Sequence, residues 1–112
     1  MMHLAEGERR VGYAIERLLA PDEAWRGLVR EMVALWSDEP PLEIGFSIVS
    51  AAAAIEASFA PGGPSHDAAA TGYRLAALIS VDVYAMQILE MPRARAADLL
   101  AYWEIDPFFA RL

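Results

Sequence analysis

Asp82 is the side chain of this sequence best placed to do chemistry. Stepping by three and four residues through Leu75, Leu78, Ile79, Asp82, Met86 and Leu89 sets its carboxyl in line with five large apolar side chains. Burying an unpaired carboxylate is costly, so such a group must find a cation or a hydroxyl, or take up a proton. Arg17 and Arg74 are the favoured partners, with Ser and Tyr hydroxyls of a neighbouring helix as the other donors. An acid held in this way can anchor the polar end of a ligand or act as the general base of a hydrolase.

Across the same segment, Tyr73, Ser80, Tyr84 and Gln87 follow at steps of seven, four and three. They form one polar ridge, suited to the rim of a ligand site or to a subunit contact. Ser50, on the preceding segment, belongs to a row of small residues with Ser47, Ala54, Ala57 and Ser58 that leaves room for another group or another backbone. Asp82, Tyr73, Tyr84 and Ser50 are therefore the candidate ligand-binding residues, and their pocket is expected between the third and fourth helices.

No other constellation assembles. His3 precedes Glu6 by three, the reverse of the Glu-x-x-His order that helical bundles use for metals, and no facing carboxylate pairs accompany it, so no metal is expected. His66 beside Ser65 stands where a helix should start, a place for a cap more than for a nucleophile and its base. Gly62-Gly63 lacks the lysine of a phosphate-binding loop. The absence of cysteine removes thiolate nucleophiles, disulfides and thiolate metal sites together. No catalytic set and no cofactor is expected.

The elements that must position these residues are all helical. Apolar periodicity predicts helices over about 3–19, 21–36, 42–59, 66–90 and 93–103. Pro21 should open the second, with Asp22 and Glu23 in its first turn, where acids favour the positive end of the helix dipole. Pro40-Pro41 and the Pro61-Gly-Gly-Pro64 stretch break the chain between helices, and Ser65 is the candidate cap of the fourth. The inward stripes are expected to be Leu4, Val11, Ala14, Ile15, Leu18 and Leu19; Trp25, Leu28, Val29, Met32, Leu35 and Trp36; Ile44, Ile48, Ala51, Ala52, Ile55 and Phe59; and Ala96, Leu99, Leu100 and Trp103. A last turn should dock Phe108, Phe109 and Leu112. Short connections favour an all-α antiparallel bundle of four main helices plus a short C-terminal helix, a single domain over 1–112.

Composition bounds the function. A chain of 112 residues with net charge −7 opposes the phosphate backbone, so nucleic acid is not an expected partner. The start carries no apolar segment behind a basic patch, which makes cytoplasm the default location. All nine basic residues are Arg, and Lys and Asn are absent, a skew expected of a GC-rich bacterial genome. Residues 44 to 60 and 75 to 89 are apolar, but Glu56 and Asp82 interrupt them and no membrane partner is expected. The hydrophobic content is 56%, high for a chain with so limited an interior. Surplus apolar surface marks an interface. The leading expectation is thus a protein that acts by binding protein, a homodimer of itself foremost. The alternative is a small-molecule binding or sensing domain with Asp82 as its polar anchor.

Overall fold

The computed structural model describes residues 2–107, with side chains from Ala5 onward. His3, Leu4, Phe108, Phe109 and Leu112, to which the sequence assigns roles, lie outside the described side chains. The protein is an all-helical bundle: α1 (Met2–Leu19), a 3-10 turn (Ala24–Gly27), α2 (Leu28–Leu35), α3 (Pro41–Ser58), α4 (Pro64–Ile88) and α5 (Asp98–Ile105).

The α3–α4 pair is the largest helix contact, and α1 packs chiefly on α3. Small residues allow the close approach. At Gly72 on α4, an added Cβ would stand 3.0 Å from both the Ala52 Cβ of α3 and the Leu18 Cδ1 of α1. The interior is filled from every helix: Ala14, Leu18, Leu28, Met32, Val33, Ile44, Ile48, Ile55, Ile79, Met86 and Leu99 are all buried. Burial of this kind contributes about 25 cal/mol per Å² of apolar surface removed from water, the main term that holds such a bundle together.

The expected helix starts shift for identifiable reasons. Asp22 and Glu23 do not begin the second helix. Both are left-handed, at φ 62° and 55°, and turn the chain sharply between α1 and α2 before Arg26 N–H bonds the Glu23 carbonyl at 3.0 Å. The fourth helix starts earlier than Ser65, with Gly63 as the capping position and Pro64 as the first helical residue, where a fixed φ and a missing N–H cost nothing. The fifth starts at Asp98 and not at 93. The Ala96 and Ala97 N–H groups are donated to the carbonyls of Glu39 (2.6 Å) and Ser37 (2.9 Å), so the segment after Pro92 is stitched to the α2–α3 connection and cannot coil. The Asp98 carboxylate accepts the Arg95 N–H at 3.1 Å and sets the new start.

α4 ends in a double-bonded C-terminal turn, with Met91 N–H on the Met86 carbonyl (2.9 Å) and Glu90 N–H on the Gln87 carbonyl (3.1 Å). That turn needs a left-handed residue, and Glu90 supplies it at φ 57°. Glycine is the residue that adopts this conformation without a Cβ penalty, so Glu90→Gly should stabilise the fold by about 0.5 to 1 kcal/mol, read as a higher urea midpoint with unchanged slope.

Candidate interaction face

Asp82 is buried, 8% exposed, and its partner is not an arginine. The Trp103 indole Nε1 donates to Asp82 Oδ2 at 3.0 Å. The expectation of Arg17 or Arg74 is corrected by the geometry. Arg17 on α1 is bound to Glu31 on α2, through Nε to Oε1 and Nη2 to Oε2, both at 3.1 Å. Arg74 is an exposed residue of α4. Asp82 faces α5, which brings Trp103 and the buried Tyr102. Burial raises the Asp82 pKa and the nearby Asp106 charge adds to it, while the indole bond acts in the opposite direction. The Tyr102 phenol is raised as well, by burial first and then by Asp82 and Asp106. The arrangement packs a carboxyl under a helix, with the Trp103 indole as its hydrogen-bond donor.

The other candidates separate. A groove of about 320 Å³ does lie between α3 and α4, floored by Gly45, Ala76 and Ala77 and walled by Leu42, Phe46, Val49, Tyr73 and Ser80. Of the four candidate ligand residues only Tyr73 lines it. The Tyr73 hydroxyl donates to Glu56 Oε1 at 3.1 Å, and its pKa is raised by burial and by that acid. Ser80 turns its hydroxyl back to the Ala76 carbonyl at 3.2 Å. Tyr84 stands 63% exposed beyond the groove, and Ser50 is half-buried on α3.

What the groove does have is apolar shoulders. On α3, Leu42, Phe46 and Val49 recur at four and three residues and are 53%, 66% and 39% exposed. On α4, Ala77, Val81, Tyr84 and Ile88 recur at four, three and four and share one exposed face. None of these seven side chains is charged at neutral pH. Leu19, Leu35, Leu89, Leu100 and Phe59, expected inside, are also exposed.

Sequence reasoning missed two polar clusters that brace α1 against α3 and against α2. Arg10 on α1 is 5% exposed, its Nε donating to Ser47 Oγ at 3.2 Å and its Nη2 to Glu43 Oε2 at 3.2 Å. Ser47, also buried, donates in turn to the Glu43 carbonyl at 2.9 Å. A signal was present: Arg10 stands four and eight residues before Ala14 and Leu18, and Ser47 lies between Ile44 and Ala51 on the buried stripe of α3. The second cluster bolts α1 to α2. Tyr13 donates to Glu31 Oε1 at 2.7 Å beside the Arg17 fork and meets the Trp36 ring edge-on at 5.8 Å, and the Trp36 indole reaches Glu6 at 3.1 Å. Burial and the Glu31 carboxylate raise the Tyr13 pKa.

No family model, curated protein or solved structure matches this chain.

Proposed function

We propose that this protein acts by protein–protein interaction, as a homodimer formed through the α3–α4 face. The observation that carries the reading is the composition of the groove on that face: no Asp, Glu, Arg or His lines it, and large exposed apolar side chains flank it, on a chain whose net charge is −7. Two such chains repel over most of their surfaces, so a self-contact is favourable only where acids are missing. The face also supplies both halves of a two-fold interface. Leu42, Phe46 and Val49 make a ridge, and Gly45, Ala76 and Ala77 floor the adjacent groove, so the ridge of one copy fits the groove of the other.

Sedimentation at tens of micromolar should give twice the 12.3 kDa chain mass. Ala77→Glu sets a carboxylate on an exposed position of the groove floor in both copies, and should return the protein to a monomer with its helical content intact. A monomeric parent, or an Ala77→Glu variant of unchanged mass, removes the proposal. α3 is also long and apolar enough by composition to cross a membrane, with mean hydropathy 1.2. Flotation of the parent with lipid vesicles, in place of dimerisation, would overturn the reading in favour of that one.

A further inference from the structure

On the other side of α3, against α1, the surface opens into a cleft of about 560 Å³, within the size range of small-molecule sites. Val11 and Ile15 of α1 and Phe46 of α3 give it apolar walls, and Arg10 is the one basic residue that lines it. Arg10 is 5% exposed, so its guanidinium is held where every donor needs a partner.

Two of the three guanidinium nitrogens have one. Nε donates to Ser47 Oγ and Nη2 to Glu43 Oε2, both at 3.2 Å. Nη1 is buried and makes no hydrogen bond; Glu39 Oε1 stands 3.5 Å away, an ion pair by charge only. A buried donor in this state is unfavourable, and what it lacks is an acceptor. The Glu39 side chain is 37% exposed and accepts no hydrogen bond among the described residues, so it can turn outward and leave Nη1 to a molecule in the cleft.

The acids of the cleft decide the charge of that acceptor. Glu6, Glu8, Glu39 and Glu43 line it with Arg10, so the site is negative on balance and repels an anion. A cation cannot satisfy a donor. An uncharged carbonyl oxygen accepts from Nη1 without that repulsion and leaves the Ser47 and Glu43 bonds in place.

We infer that this cleft binds a small uncharged carbonyl compound, its oxygen accepting from Arg10 Nη1 and its hydrocarbon body lying against Val11, Ile15 and Phe46. The inference does not rest on dimerisation, since Phe46 alone is shared between the two surfaces. The test titrates isotope-labelled protein with 4-phenylbutan-2-one and with three compounds of the same shape: 2-methyl-4-phenylbut-1-ene, which lacks the acceptor, the cationic 4-phenylbutan-2-amine and the anionic 3-phenylpropanoate. Backbone amides and the Arg10 guanidinium are followed in the parent and in Ala77→Glu. The ketone should shift Arg10, Gly12 and Ser47 saturably in both proteins and bind about tenfold tighter than the alkene, the gain of one hydrogen bond from a charged donor. Gly12 lines the cleft as an exposed residue of α1, and a Cβ built on it would meet nothing within 4 Å. Gly12→Leu, which fills the cleft from this unobstructed position, should therefore abolish ketone binding while the melting temperature holds or rises. Equal binding of ketone and alkene, tightest binding by the amine or the carboxylate, ketone binding unchanged in Gly12→Leu, or no saturation with the ketone at several millimolar overturns the inference.

Discussion

Gly72→Val should lower the stability of the bundle by about 2 to 3 kcal/mol, a fall in melting temperature on the order of 10 °C. Gly72 lies where three helices meet, and an added Cβ alone already stands 3.0 Å from Ala52 Cβ and from Leu18 Cδ1. The Leu18 methyl can rotate away; the Ala52 Cβ is fixed to its backbone and can only move with α3. Valine adds two further methyl groups at that point, so α3 and α4 must separate along their main contact. Gly72→Ala places the helix gain of about 1 kcal/mol against the squeeze and should come out near neutral. Gly12→Ala is the control, because the same helix gain there meets no obstruction, and its melt should rise. A Gly72→Val protein that melts within a degree or two of the parent would show that the three helices do not meet at this residue.

How far these features could be read in advance depends on whether neighbours or distant elements decide them. The buried stripe of α3, Ile44, Ile48, Ala51, Ala52 and Ile55, is a local 3.6-residue pattern and was legible. α3 is apolar on more than one side, however, and periodicity cannot say which apolar side is core and which is surface. Leu42, Phe46 and Val49 therefore stood unrecognised as a face. Arg10 escaped for the opposite reason. A charged residue reads as solvent-exposed unless its helix register is followed through Ala14 and Leu18, and its partners lie 33 and 37 residues away. The displaced starts of α2 and α5 depend on left-handed acids and on donors taken by the Ser37–Glu39 segment, neither of which composition signals. Asp82 was legible as a buried anomaly. Its indole partner was not, because the register of α5 against α4 is a tertiary fact.

That partner changes what Asp82 substitutions should do. With an arginine opposite, loss of the carboxylate would strand a buried cation at a cost of about 3 to 5 kcal/mol. With the neutral Trp103 indole opposite, Asp82→Ala leaves one buried N–H short of this acceptor, and the expected cost is about 1 to 3 kcal/mol relative to Asp82→Asn, whose amide oxygen still accepts it. Against the parent, Asp82→Asn should be the more stable protein at neutral pH, since it keeps the acceptor and removes a charge that burial and Asp106 both disfavour. The pH dependence follows from the direction of the shift. A carboxyl whose pKa is raised in the folded state binds its proton more tightly there than in the unfolded chain, so its favourable contribution is complete below the ordinary aspartate range and is lost as pH rises through the raised folded value. The advantage of Asp82→Asn over the parent should accordingly be largest near neutrality and close as the pH falls toward the ordinary aspartate range, where both side chains are uncharged. Urea midpoints of the two proteins measured in parallel from pH 7 to pH 4 check this directly. Curves that stay parallel would mean that Asp82 has the same proton affinity folded and unfolded, and that α5 does not seal it from water.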